Sequence, residues 1–226
     1  MDGHCTGLDK GEQRNLRSWA HDFGIKLSAS QIHIFGIYLD ELWEWNRQVN
    51  LTGLSSRARI IKELLLDSLI PSLFLPEEGR FLDVGSGAGF PGIPLKICKS
   101  RLKAHLMEAN SKKVSFLQQV IRRTKLRGIE VMRGRIEMDK DLLHPEGYHI
   151  ITARALARLP QTLIWCAPHL MSGGLIMNFQ GSMFEDALKE SADVIREHRL
   201  FLYKSIPYTL PGRESQRHLL IFKKGT

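Results

Sequence analysis

Along residues 32–43 the apolar positions Ile32, Phe35, Leu39, Leu42 and Trp43 recur at steps of three and four, and Ile60, Ile61, Leu64, Leu65 and Leu69 repeat the pattern. Each series places its large side chains on one helical face, so both predict amphipathic helices. Between them, WNRQVNLTGLSS reads as a connection: Asn50 and Thr52 favour a turn, Gly53 breaks the pattern, and Ser55 or Ser56 can cap the second helix. Past Pro76 the grammar changes. Short apolar runs at 81–84, 104–107, 129–132, 149–152 and 175–179 alternate with helix-length segments, as in a doubly wound parallel sheet. Two last runs, 201–206 and 219–222, are joined by PYTLPGRESQ, too short for a crossover helix, and therefore predict an antiparallel hairpin. The expected fold is α/β: a helical extension over 1–76, then a domain over 77–226 with a seven-stranded, mostly parallel sheet closed by an antiparallel strand.

The first predicted strand runs into DVGSGAGFPGIPL, residues 83–95, with its glycines at the carboxyl end, where open α/β sheets bind ligands. Gly85, Gly87 and Gly89 allow positive φ and close approach of a ligand, and the following helix offers free N–H groups. Pro91 and Pro94 suit the first turn of that helix, which has no need of their missing N–H. The letters also contain G-x-G-x-x-G at 87–92, so a nicotinamide dehydrogenase is one reading. Counted from the strand, however, the first glycine is Gly85, and the glycine expected five residues later is Phe90. Asp83 would also lie where a dinucleotide lays its negative pyrophosphate. An acid there suits a cationic ligand, and S-adenosylmethionine carries a sulfonium and an ammonium but no phosphate. A Walker A loop is excluded because no Lys-Ser or Lys-Thr follows the glycines. Glu108 ends the second strand at the spacing where an acid can accept both ribose hydroxyls, a feature that suits either cofactor. Glu137 follows the third strand beside Ile136, which can cover an adenine face, although a surface glutamate on an ordinary loop is equally open.

Charge adds a partner. Between Arg101 and Arg135 ten Lys or Arg face two acids, Glu108 and Glu130, so this one segment carries an excess equal to the +8 of the whole chain. A concentrated basic patch on an otherwise balanced chain is the footprint expected for RNA, with a solvated helix face as the ordinary alternative. The remaining composition narrows the class. Hydrophobic residues make up 43% and charged residues 25%, as in a soluble globular protein. The first twenty residues have no apolar run, and no stretch reaches the ~20 apolar residues of a membrane helix, so a cytoplasmic protein with no membrane partner is expected. Cys5, Cys98 and Cys166 lack any C-x-x-C spacing, which predicts neither a disulfide framework nor a metal site. With no heptad seam, a monomer is expected.

LDVGSGAGFPGIPL, followed by SKKVSFLQQV, RGRIE and ARAL, with WNRQVNLT and DSL upstream, resembles the small-subunit ribosomal RNA methyltransferase G family (RsmG, also GidB). The motifs match in order from about Trp45 to the final strand. The resemblance implies a class I S-adenosylmethionine-dependent methyltransferase fold, Rossmann-like, with an N-terminal helical extension. It also implies transfer of a methyl group to N7 of a guanosine in small-subunit (16S) ribosomal RNA, with naked RNA or a ribosomal particle as partner and no DNA. Positions matching Gly85, Phe90, Ile136, Glu137 and Arg154 would contact S-adenosylmethionine, while Asn46, Asn50 and the helix beginning at Lys112 and Lys113 would lie on the RNA side. Two positions depart from the family: Leu64 stands where a histidine is common, and Gln180 where a lysine usually precedes Gly181.

Guanine N7 has an in-plane lone pair and no proton, so its methylation needs alignment and no general base. No catalytic side chain is therefore expected. Methylation at pyrimidine C5 needs a cysteine nucleophile, for which the three cysteines have no context. Exocyclic amine methylation commonly uses an [Asp/Asn]-Pro-Pro-aromatic loop after the fourth strand, where this chain reads TARALARL. Arg154 and Arg158 there can steer phosphate or stack on a base, with a helix-start salt bridge as the ordinary role for Arg158. The rival reading is a non-catalytic RNA-binding or ribosome-assembly module that keeps the cofactor pocket.

Overall fold

The computed structural model describes residues 7–226; Cys5 lies outside them. The N-terminal segment contributes α1 (Lys10–Asp22), α2 (Ala29–Asn46), and a helical run made of α3 (Arg57–Ile60), a π-helical stretch (Ile61–Leu66), α4 (Asp67–Leu69) and a 3-10 turn (Ile70–Leu73). Periodicity does not announce α1, because only Leu16 and Ala20 of its thirteen residues are buried. Its start is nevertheless encoded: Asp9 accepts from the Glu12 N–H, and the Glu12 carboxylate accepts from the Asp9 N–H, a capping box. Ser28 and Gln31 do the same for α2, and Ser56 caps α3.

All seven expected strands form one sheet in the order β3-β2-β1-β4-β5-β7-β6. They are β1 (Glu78–Val84), β2 (Arg101–Glu108), β3 (Ile129–Arg133), β4 (Tyr148–Ala153), β5 (Leu170–Gln180), β6 (Leu200–Tyr208) and β7 (Arg217–Lys224). The first five pair in parallel, and β7 lies antiparallel between β5 and β6. The fifth strand starts five residues before its apolar run because Gly173 and Gly174 interrupt the pattern. A Cβ on Gly174 would meet the Met171 carbonyl at 2.9 Å, so the interruption is a close backbone approach.

Strand alternation divides the core. Phe81, Ala104, Leu106, Ile150, Met177, Leu219 and Ile221 form one cluster with the buried residues of α1, α2 and the 57–73 run. That cluster also takes in α5 (Gly92–Cys98) and α6 (Ser111–Thr124). Leu82, Met107, Ile151, Ile176, Leu220 and Phe222 form the other, against α7 (Leu159–Cys166), α8 (Phe184–Glu190) and α9 (Ala192–Glu197). The first cluster crosses Pro76 without a break, so the N-terminal helices complete the covering of the sheet. Among the described residues no helix is long and apolar enough to cross a membrane.

Candidate active site

The glycine loop leaves β1 and turns back over its tip. Gly85, Gly87 and Gly89 have φ of +69°, +57° and +93°, a region that costs an L-residue with a side chain about 1–2 kcal/mol. At Gly85 space is short as well: a Cβ there would lie 2.9 Å from Leu156 Cδ1. The loop rests on α2. Tyr38, fully buried, donates its hydroxyl to the Ala88 carbonyl at 2.5 Å, and its ring lies 5.3 Å from that of Phe90. Phe90 is thus an anchor on the inner side of the loop. The Phe90–Pro91 peptide is cis, and α5 begins one residue later, at Gly92.

Beyond Gly85 opens a cavity of about 410 Å³, within the range of small-molecule sites. Val84, Met107, Ile136, Leu156 and Trp165 supply apolar walls, and Glu108 and Glu137 supply carboxylates. Glu108 is buried: one oxygen accepts from the Gly87 N–H at 2.8 Å, the other from the Asn110 N–H at 2.8 Å. Its carboxylate is thereby fixed, with lone pairs left over for further donors. Ile136 is buried, and Glu137 is partly exposed at 3.8 Å from Arg135. A wall built from the tips of three parallel strands follows from the fold, since every strand end there points the same way.

Four of the residues expected at the cofactor do not line this cavity. Asp83 is turned beneath the loop, buried, where its carboxylate accepts from Thr152 Oγ1 at 2.6 Å and from the Gly92 N–H at 3.1 Å. Strand parity explains the difference: Asp83 shares the face of Phe81, under α5, and a Cβ on Gly92 would meet its carboxylate at 2.6 Å. Burial raises its pKa to about 6 against the bonds from Thr152 and Gly92. Gly87 acts through its N–H on Glu108, and Phe90 packs inward. Arg154 is held 3.1 Å from Asp67 and donates to the Glu63 carbonyl at 3.0 Å. Asp67 also accepts from Tyr208 at 2.7 Å and Arg217 at 2.9 Å, so one buried carboxylate ties α4 to the end of β4, to β6 and to β7.

The residues expected on the RNA side separate in the same way. Asn46 accepts from the Leu51 and Thr52 N–H groups and donates to the Leu54 carbonyl, so its amide is occupied in holding the 47–54 loop. Asn50, exposed, accepts from the Gly53 N–H. Lys112 and Lys113 sit in the first turn of α6, capped by Asn110, which lines the cavity. Arg158 pairs with Glu190 across an exposed surface, an ordinary salt bridge at the start of α7. Leu64 packs against the core, and Gln180 donates to Asn178 at 2.5 Å. The thiols of Cys98 and Cys166 are pushed up to about 12 by burial, so neither is a nucleophile. Sequence reasoning missed Leu156, Trp165 and Asn110 in the wall, and Tyr38 behind it. Of these only Tyr38 had a signal, at helical spacing from Phe35 and Leu42.

The fold and site define a class I methyltransferase architecture. Solved structures agree: a methyltransferase from Pyrococcus furiosus superposes with a TM-score of 0.59 at 17% identity, covering 80% of this chain and 99% of that one. M. jannaschii TYW2, solved in complex with AdoMet, superposes with 0.57 at 14% identity over 70% and 73%. At such identities the likeness is one of fold. Sequence likeness is closer. Residues 31–219 match the family described as rRNA small subunit methyltransferase G, GidB. The ribosomal RNA small subunit methyltransferase G of Syntrophus aciditrophicus is 35% identical, covering 93% of this chain and 89% of the relative. That of Desulfitobacterium hafniense is 39% identical, over 74% and 70%. The chain belongs to this family.

Proposed function

We infer that this protein transfers a methyl group from S-adenosyl-L-methionine to N7 of a guanosine in small-subunit (16S) ribosomal RNA. The observation that carries the reading is the cavity at the tips of β1, β2 and β3, where the cramped bare backbone of Gly85, the fixed carboxylate of Glu108 and the buried Ile136 converge. These residues fit the donor: Glu108 has lone pairs for ribose hydroxyls, Ile136 an apolar face for adenine, and Glu137 an acceptor for the adenine amino group. S-adenosylmethionine supplies, when bound, an electrophilic methyl on a sulfonium. Asp83 serves by holding α5 and the loop in place.

Alignment is then the protein's main contribution, because the N7 lone pair needs no base to free it. Trp165, Leu156 and Met107 give the cavity an apolar wall. The segment after β4 has Arg154 and Ala155 in place of the Pro-Pro loop of amine methylation, and the half-buried Arg154 adds a positive field near the β4 tip. Lys112 and Lys113, in the first turn of α6 beside the cavity, and the exposed Asn50 supply polar contacts for RNA. A cytoplasmic monomer is part of this reading.

Incubation with radiolabelled S-adenosylmethionine and either naked small-subunit RNA or small ribosomal subunits tests it. Label should enter one of the two substrates. Cofactor bound with no label transferred to either would favour the non-catalytic module.

A further inference from the structure

The segment 101–135, which holds the chain's positive excess, does not form one surface. Its helix α6, with Lys112, Lys113, Arg122 and Arg123, packs on the same side of the sheet as α2. Strand β2 looks the other way. Arg101 and Lys103 are exposed and His105 half-buried, while Leu102, Ala104 and Leu106 between them are buried. An inner strand of a parallel sheet is normally covered on both faces. Here β2 is open over its amino half, because β3 is joined to β4 through a 3-10 turn (Lys140–Leu142) in place of a long crossover helix.

Neighbouring strands extend the open strip. Arg80 on β1 stands in register with Lys103, and its N–H donates to His149 Nδ1 at 3.1 Å. His144 reaches in from the β3–β4 connection. Together Arg80, Arg101, Lys103, His105, His144 and His149 line a cavity of about 370 Å³ at the amino end of the sheet. Its single lining carboxylate is Glu78; Glu130 stands in register with His105 on β3. Arg80 is engaged by Glu146 at 2.9 Å and by the Gly147 carbonyl, but Arg101 and Lys103 form no ion pair among the described residues.

The donors are aligned in kind. His149 Nδ1 accepts the Arg80 N–H, and His144 Nδ1 accepts the Glu146 N–H at 3.2 Å. Each neutral ring therefore carries its hydrogen on Nε2 and remains a donor. Arg80 is neutralised by Glu146, so Arg101 and Lys103 are the cations on this face that a bound anion would pair with. A concave site rich in cations and N–H donors, with one acid, matches a group that only accepts.

We propose that this cavity binds phosphate, and that its occupant is a backbone phosphate of the RNA substrate, held roughly 20 Å from the methyl-donor cavity given the rise along β2. The proposal rests on the RNA reading above and adds a second anchor at the opposite end of the sheet.

R101Q/K103Q tests it in the full chain, since both side chains are exposed and neither lines the methyl-donor cavity. Each cation taken away from a phosphate should lower the slope of log affinity against log salt by ~0.7–0.9. The variant should therefore show a slope smaller by about one to two, and a raised KM for RNA. Affinity for S-adenosylmethionine and kcat at saturating RNA should be unchanged, and R101K/K103R should restore the slope. A slope and RNA affinity identical to wild type would overturn the proposal. Inorganic phosphate distinguishes the source: saturable binding of free phosphate, abolished in R101Q/K103Q while RNA affinity stays unaltered, would overturn the RNA assignment. If the slope falls as expected and wild type transfers no methyl group, the enzyme reading fails and this one stands. If transfer proceeds and the variant behaves as wild type, this one fails alone.

Discussion

Gly85 shows how much a single residue carries. Its φ of +69° and the 2.9 Å gap to Leu156 leave no room for a methyl group, so G85A should lose about 1–2 kcal/mol of stability. Because Gly85 and Leu156 both line the cavity and a methyl on Gly85 would displace Leu156 Cδ1, affinity for S-adenosylmethionine should fall about tenfold or more, ~1.4 kcal/mol by titration calorimetry. An unchanged dissociation constant would show that the cofactor lies elsewhere. Gly85, Glu108, Ile136 and Glu137 were legible because each follows a strand by a countable distance. Asp83 was legible as an acid at the loop but not in its direction, since the sequence does not say which face of β1 the ligand occupies. Its buried carboxyl, raised from 3.8 to about 6, favours the folded state fully below about pH 4 and loses that contribution as pH rises through about 6. D83N does not titrate. The stability of wild type relative to D83N should therefore fall by roughly 2–3 kcal/mol between pH 4 and pH 7 in urea unfolding, and a constant difference would contradict the buried, neutral-favouring environment.

At the scale of elements, the N-terminal helices act on the site from behind. Tyr38 reaches from α2 to the Ala88 carbonyl. Y38F keeps the ring and removes the donor, leaving that carbonyl buried without its partner, at about 1–3 kcal/mol. The cofactor affinity of Y38F should fall with loop order; a variant as stable and as tight-binding as wild type would free the loop from α2. Asp67 does similar work between α4 and the sheet. D67A leaves Arg154 and Arg217 facing each other without their shared carboxylate and should cost about 3–5 kcal/mol by thermal or urea unfolding. The helical period did announce α2 and the 57–73 run. It gave no sign of α1, whose two buried residues are too few to repeat, nor of the π turn, which needs tertiary partners to persist. All seven strands were visible as apolar runs, while the polar starts of β1 and β2 and the glycine-broken start of β5 were hidden.

Over the whole molecule, one core spans the residue where the sequence pattern changes, so helices read as an extension are built into the sheet's covering. Net charge was legible as a total, but its division between α6 and the open face of β2 was not, because the alternate side chains of β2 that carry Arg101 and Lys103 face away from the side on which α6 packs. The methyl-donor cavity sits at one end of that sheet and the basic cavity at the other. The central claim is the chemistry at the first of these. Small-subunit RNA treated with the protein and S-adenosylmethionine, then digested to nucleosides and resolved by mass spectrometry, should gain 7-methylguanosine, about one per RNA, and markedly less with G85A when S-adenosylmethionine is below saturation. A new methyl group on any other nucleoside, or none with cofactor bound, would contradict the account.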